Sequence, residues 1–341
     1  LYSIVKLFFN AIDREEWRYI MNENSGTGSI RLGVSSCLLG NTVRYDGGHK
    51  LSRYVRDTLG DYFEYVPVCP EVECGLPVPR EAMHLVGNPE NPRLVTIKTR
   101  KDLTEQMQTW GKEKLEELDR IDVCGYIFKS RSPSSGMERI KIYNEEGNPV
   151  FQGAGIWARM FMDHFPLLPA EDEGRLNDPV LREHFIERVF VVWRWQQLIA
   201  KDPGIKDLID FHSRHKFLIM AHSPHLYSEL GYYVAHASEK PKNTLFSGYL
   251  QLLDQAMRIK TSVKKHINVL HHLLGFFKEA LDSDEKQEFI EIVEHYLKGD
   301  VPLIVPVTLM NHFVRKYREP YLQTQLYLNP HPVELRLRNH A

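Results

Sequence analysis

Three segments carry side chains that can hold a metal or move a proton, and each directly follows an apolar stretch. They are Val34-Ser35-Ser36-Cys37-Leu38-Leu39-Gly40, Val68-Cys69-Pro70-Glu71 and Lys129-Ser130-Arg131-Ser132-Pro133-Ser134-Ser135-Gly136. Cys37 and Cys69 stand too far apart in sequence for a local C-x-x-C pair or zinc knuckle, so only the fold can bring them to a common ligand. Thiolates gathered in this way suit soft centres such as iron–sulfur clusters, and zinc if further ligands join. The same pattern also suits small residues buried at turns. Glu71 after Pro70 and Ser132 before Pro133 read equally as turn residues. Cys124 sits inside an apolar run and reads as packing, and Cys74 as structural. His212-x-x-His215 and His222-x-x-His225 place pairs on helical faces, yet Ser223-Pro224 interrupts that helix and no cysteine or carboxylate completes a metal set. Phosphate contact or helix packing suits them better, and Asn268 with His271 reads as core hydrogen bonding.

These segments need strands to end where they begin. Residues 30–35, 63–68, 93–97, 121–128 and 140–143 are short apolar runs between Gly- and Pro-rich turns and predict strands. Residues 102–118 lie between two of them, with Leu103, Met107, Trp110 and Leu115 at helical spacing. Such alternation predicts an α/β domain with a largely parallel sheet and flanking helices, which gathers the three segments at one edge of the sheet. Residues 153–175, with Pro166, Pro169 and the run Glu171-Asp172-Glu173, read as a closing helix and exit linker. Thereafter the period is helical, over 179–200, 205–236 with a break at Ser223-Pro224, 244–281, 283–298 and 306–317. On the third helix Met257, Val263, Ile267, Leu270 and Leu274 trace a buried stripe, and Arg258, Thr261 and Lys265 share another face. The expected organisation is an amphipathic extension (1–29), an α/β domain (30–175) and an all-α domain (176–341).

With 341 residues, 43% hydrophobic and 26% charged, the chain has the composition of a globular protein of two cores, neither disordered nor fibrous. No apolar run approaches the ~18 residues of a membrane span. Residues 4–9 are too short and too quickly followed by acids for a secretory signal, and Met21 can serve as a start. A cytoplasmic address with reduced cysteines is therefore expected. The net charge of −2 hides a basic second half holding thirteen of the sixteen histidines. Residues 211–275 carry eight Lys/Arg against three acids, which fits either a polyanion contact or a solvated helical surface.

Five motifs in order, Ser35-Ser36-Cys37-Leu38-Leu39-Gly40, Val43-Arg44-Tyr45-Asp46-Gly47, Val68-Cys69-Pro70-Glu71-Val72, Gly75-Leu76-Pro77-Val78-Pro79-Arg80-Glu81 and Ser132-Pro133-Ser134, resemble the thiouracil desulfidase family over residues 31–175. The second half, with Phe211-His212-Ser213-Arg214-His215-Lys216-Phe217, Asn268-Val269-Leu270-His271-His272 and Tyr321-Leu322-Gln323-Thr324-Gln325, resembles the helical domain often fused to it. Such fusions resemble desulfidases acting on 4-thiouridine in transfer RNA. The resemblance implies non-redox hydrolysis at a four-iron, four-sulfur (4Fe-4S) cluster held by three cysteines, with one iron open to the substrate sulfur. It implies Glu71 and Ser132 as catalytic residues, Cys37, Cys69 and the position of Ser135 as ligands, and Ser36, Arg44 and Ser134 as substrate contacts. Arg214, Lys216, Arg258, Lys264 and Lys265 would meet the RNA. The implied partners are a thiopyrimidine base or nucleoside or thiolated tRNA, with no membrane and no protein partner.

At the third ligand position the chain departs from the family's Ser-Pro-Ser-Cys-Gly: it reads Ser132-Pro133-Ser134-Ser135-Gly136. A hydroxyl is harder and less acidic than a thiol, so iron there would be held more weakly. Two function classes follow. One is a desulfidase; the other is a catalytically silent RNA-binding or cluster-sensing protein.

Overall fold

Leu32 and Val34 are fully buried on β1 (Arg31–Ser35), the strand from which the first unit is built. β1 lies inside an all-parallel sheet of order β2-β1-β5-β8, with β2 spanning Glu64–Val68, β5 Tyr126–Phe128 and β8 Ala170–Asp172. Burial on both faces explains its continuous apolar character. Gly33 lies opposite Tyr126, and a Cβ there would come within 2.2 Å of the tyrosine ring, so only glycine admits the contact. The computed structural model describes residues 29–340, Glu145 apart. The expected extension, Ser29 excepted, and the start at Met21 lie outside the described residues.

A second four-stranded sheet has the order β4-β3-β6-β7, formed by β3 (Met83–Val86), β4 (Arg93–Thr96), β6 (Ile140–Tyr143) and β7 (Pro149–Gly153). Only its β3–β6 pair is parallel. A short helix, α1 (Pro70–Glu73), follows β2, and two longer ones serve both sheets: α2 (Thr104–Arg120) and α3 (Ile156–His164). Leu115 and Leu118 of α2 join Trp157 and Phe161 of α3 against Val68, Tyr126 and Phe128. Met107 of α2 and Ile156 of α3 join Leu85, Leu94 and Ile142 of the other sheet. Each fully buried large side chain contributes roughly 1.5–3 kcal/mol of transfer free energy. The Trp157 indole N–H donates to the Tyr126 hydroxyl at 3.1 Å, so this core hides no unsatisfied indole.

Two expectations for this half need correction. The strand expected over 121–128 is confined to Tyr126–Phe128, because Asp122 takes a positive φ of 52° and turns the chain first. The acidic run read as a linker is β8 and its exit. Glu171 binds Arg175 at 2.6 Å, Asp172 accepts from the N–H groups of Gly174 and Arg175, and Glu173 pairs with Lys129. Buried acids persist where cations and amides meet them, and such partners do not show in local sequence.

The chain divides into compact units at Val192/Trp193, inside helix α4 (Pro179–Ile199). The second unit continues with α5 (Ile205–His222), α6 (Pro224–Ala235), α7 (Lys242–Arg258), α8 (Val263–Leu274), α9 (Ser283–Lys298), α10 (Ile304–Lys316) and α11 (Pro320–Gln323). Ser223 caps α6 with Pro224 at its first position, which is the break the sequence signals. The single helix expected over 244–281 is two helices. Ser262 caps α8 by accepting from Lys265 N–H, so the stripe from Met257 to Leu274 does not run through. α8 buries His266, Val269, Leu270 and Leu273 and leaves Val263 exposed. The shared face of Arg258, Thr261 and Lys265 is lost with the same break. No helix among the described residues is long and apolar enough to cross a membrane.

Candidate active site

β1, β2 and β5 run parallel, so the chain leaves all three at the same edge of the sheet, where α/β folds place their sites. After β1 a 3-10 turn, Ser36–Leu39, carries Cys37 and closes at Gly40, whose φ of 99° favours glycine. After β2, Cys69 precedes α1, which carries Glu71. After β5 comes the serine-rich loop. Ser35 Oγ accepts the Lys129 N–H at 2.8 Å and ties the first exit to the third.

The three loops enclose a cavity of about 260 Å3 whose lining includes Cys37, Cys69, Glu71, Ser132 and Ser135. Ser36, Arg44, Arg80 and Lys129 line it too. A chain of polar contacts links several of these residues. Ser132 Oγ and Ser134 Oγ are 2.8 Å apart, and Ser134 Oγ donates to Glu71 Oε1. Glu71 Oε2 accepts from the Cys69 thiol at 3.5 Å and lies 3.6 Å from an Arg80 guanidinium nitrogen. Arg80 is anchored in turn by donating to Val43 O at 2.9 Å. Ser36 Oγ accepts from Asn41 and Arg44 faces Asp46 at 3.4 Å.

Every catalytic, ligand and substrate candidate of this unit therefore borders the cavity or, as with Ser134, bonds to a residue that does. Arg80 lies within one of the five motifs, and its sequence assigns it no role. Its signal was a lone cation in a Pro-rich stretch, and only the fold shows its carboxylate partner.

Both cavity thiols are 8% exposed. Burial pushes Cys37 up to about 11, a push that Lys129 opposes and Glu71 reinforces. Burial, with Glu71 next, pushes Cys69 up to about 12. In the protein alone both are thiols at neutral pH, and a soft cation would displace their protons. Cys37 Sγ makes no hydrogen bond among the described residues. Two sulfur donors and a hydroxyl bordering one cavity fit a metal–sulfur centre with two soft corners and one hard one. Cys74 and Cys124 are outside the lining and donate to Glu71 O and Asp122 O.

In the helical unit the five basic candidates have different surroundings. Arg258 is held by Asp254 at 2.6 Å, Lys265 donates to the carbonyls of His222 and Lys260, and Lys264 is exposed. Arg214 is half-buried, with its pKa lowered by burial. Lys216 lies 4.7 Å from the Tyr321 ring centre, and Tyr321 stacks on Phe276 at 5.5 Å and 18°. Phe276 is 42% exposed. His212 meets the Tyr249 hydroxyl and His215 the Phe211 carbonyl, so this pair has protein partners.

A sequence model of the 2-thiouracil desulfurase family matches residues 32–173, and one of a protein family of unknown function, DUF1722, matches residues 216–332. The chain is 30% identical to the uncharacterized protein YbgA of Escherichia coli (strain K12) over 155 residues, 45% of this chain and 90% of that protein. It is also 30% identical to the uncharacterized protein YbbK of Bacillus subtilis (strain 168) over 150 residues, 42% of this chain and 97% of that protein. Among solved structures it is similar to the 4Fe-4S-dependent thiouracil desulfidase TudS, at 29% identity and a TM-score of 0.37, covering 45% of this chain and 97% of TudS. Residues 32–173 belong to the 2-thiouracil desulfurase family, and a DUF1722 region follows at 216–332.

Proposed function

We propose that this protein hydrolyses thiopyrimidines, with 4-thiouridine in tRNA as the substrate and a 4Fe-4S cluster held by Cys37, Cys69 and Ser135 as the resident cofactor. The carrying observation is the convergence of those residues with Glu71 and Ser132 on one cavity. When bound, the cluster supplies an open, Lewis-acidic iron for the thiocarbonyl sulfur. Glu71 Oε1 is the general base: it takes a proton from the attacking water while Arg80 holds the other oxygen. Ser134 orients that carboxylate, and Ser132, 2.8 Å from Ser134, extends the path to the ring. Arg44 and Lys129 border the cavity as cations that favour an oxyanion or a departing hydrosulfide. Water replaces sulfur on the ring carbon, and the products are the oxo-pyrimidine and hydrosulfide.

The tRNA part of the reading is supported in the helical unit by the Lys216, Tyr321 and Phe276 group. A cation on a stacked, partly exposed aromatic pair suits a phosphate next to an unpaired base. The silent alternative rests on Ser135 alone. Anaerobic loading of the full chain, incubation with thiolated tRNA and nucleoside mass spectrometry tests the reading. Loss of 4-thiouridine matched by released sulfide is expected. Unchanged tRNA beside turnover of free thiouracil refutes the tRNA assignment, and no turnover of either refutes the desulfidase reading of the site.

A further inference from the structure

A cavity of about 260 Å3 has room for a pyrimidine ring but not for a polynucleotide, whose flanking phosphates and bases must be met at its mouth. Two lining residues are exposed there, Arg131 and Tyr45. Arg131 takes a φ of 58°, in the left-handed region that residues other than glycine seldom adopt. Both of its flanks are fixed. Ser130 binds Glu173 through its N–H at 2.7 Å and its hydroxyl at 2.8 Å, and Ser132 Oγ accepts the N–H groups of Ser134 and Ser135 at 3.3 and 3.1 Å. Beyond them, Pro133 O and Ser134 O accept from the N–H groups of Ile156 and Ala158 at the start of α3, at 3.2 and 3.1 Å. The Arg131 guanidinium itself makes no hydrogen bond or ion pair among the described residues. The other cations of the lining are engaged: Arg44 faces Asp46, Arg80 faces Glu71 and Lys129 pairs with Glu173. Tyr45 is held in a tight turn, where Gly47 N–H donates to Arg44 O at 2.9 Å and Arg44 N–H to Gly48 O at 3.2 Å. Arg80 N–H donates to Tyr45 O at 2.8 Å, which ties the turn to the cavity wall. The Tyr45 ring is 45% exposed, with the Arg44 guanidinium carbon 5.3 Å from its centre.

An unpaired guanidinium and an open aromatic ring at the mouth of a pocket match what a strand adds to a single base: a phosphate, and a neighbouring base with a π face. We infer that this mouth is a subsite for a ribonucleotide strand, in which Arg131 binds a phosphate flanking the thiopyrimidine and Tyr45 stacks on the adjoining base. These two residues then make the α/β unit prefer a strand to a free base. The inference rests on the RNA reading above and adds the residues that recognise the strand beside the reacting ring.

The test titrates the full chain into a fluorescein-labelled pentauridylate, the oxo form that cannot turn over, and reads anisotropy over a series of salt concentrations. The unaltered chain should bind it more tightly than it binds uridine, and uridine should displace it. Arg131→Gln should lower the slope of log affinity against log salt by about 0.7, the contribution of one phosphate of a single strand, and Arg131→Lys should keep that slope. Tyr45→Ala should weaken binding by about tenfold, and Tyr45→Phe should retain it. Circular dichroism verifies that each variant is folded. An unchanged slope in Arg131→Gln, undiminished binding by Tyr45→Ala, or a strand that uridine does not displace overturns the subsite. No step of this assay involves sulfur or iron. Thiolated tRNA that keeps its sulfur would therefore count against the desulfidase reading and leave the subsite standing, whereas desulfuration beside an unchanged salt slope would remove the subsite alone.

Discussion

Replacing Arg80 by Met removes the cation that faces Glu71 while keeping much of the side-chain volume. The pair is nearly enclosed, with 7% and 12% of the two side chains exposed, and its charges are 3.6 Å apart. At an effective dielectric constant of about 20 that separation gives about 4–5 kcal/mol of attraction. The Arg80 bond to Val43 O adds about 1 kcal/mol. Against this stands the hydration that Arg80 lost on folding, and the Ser134 and Cys69 donors that Glu71 keeps. A net loss of about 3 kcal/mol is expected, in line with breaking other buried pairs. Urea unfolding followed by tryptophan fluorescence measures it. With a slope of about 2 kcal/mol per molar, the midpoint of the α/β unit should fall by about 1.5 M. In Arg80→Met/Glu71→Gln the losses should not add, with a coupling of at least about 1.5 kcal/mol. Additivity to within about 0.5 kcal/mol would show that the two side chains do not act as a pair and would remove Arg80 from the account of Glu71.

Gly33→Ala should destabilise the same unit by about 1–3 kcal/mol, read as a lower midpoint in the same assay, because the added methyl meets the buried Tyr126 ring at 2.2 Å. In the helical unit, burial pushes His212 down to about 4 from an ordinary value of 6.5. Its neutral form is the folded one, so the associated stability is complete above pH 6.5 and drains away as the pH falls toward 4. His212→Gln should flatten that acid limb in a pH series of thermal melts; an unchanged limb would assign it to other groups. For RNA, Lys216→Ala should lower the slope of log affinity against log salt by about 0.9, and Phe276→Ala should cost about 1–3 kcal/mol of tRNA binding. Filter-binding titrations read both, and unaltered isotherms would move the RNA surface away from this group.

The strand ends were legible because apolar runs stop abruptly at Ser35, Val68 and Phe128, and a parallel order then forces their exits together. The cavity's residues follow from that geometry. What the sequence hid was partnership. Arg80 lies nine residues beyond Glu71 across a Pro-rich turn, and nothing local marks the two as neighbours. The run at 171–173 reads as an exit linker in sequence because its partners Lys129 and Arg175 are brought to it only by the β5–β8 pairing and the turn that follows. The interruption before α8 was masked by a hydrophobic period that runs on through it, although Ser262 is a capping residue. Periodicity reports which faces are apolar, whereas a cap reports where a helix begins, and here the cap decided.

The loop beside α3 takes its shape from main-chain contacts and from Ser132, while the Ser135 side chain contributes nothing to it. Serine and cysteine codons differ by a single nucleotide, and here the exchange would leave the surrounding architecture undisturbed. Descendants of one gene can thus exchange an oxygen for a sulfur at this point of the cavity wall without remodelling the loop, so the chemistry of the wall is free to change while the scaffold that carries it stays.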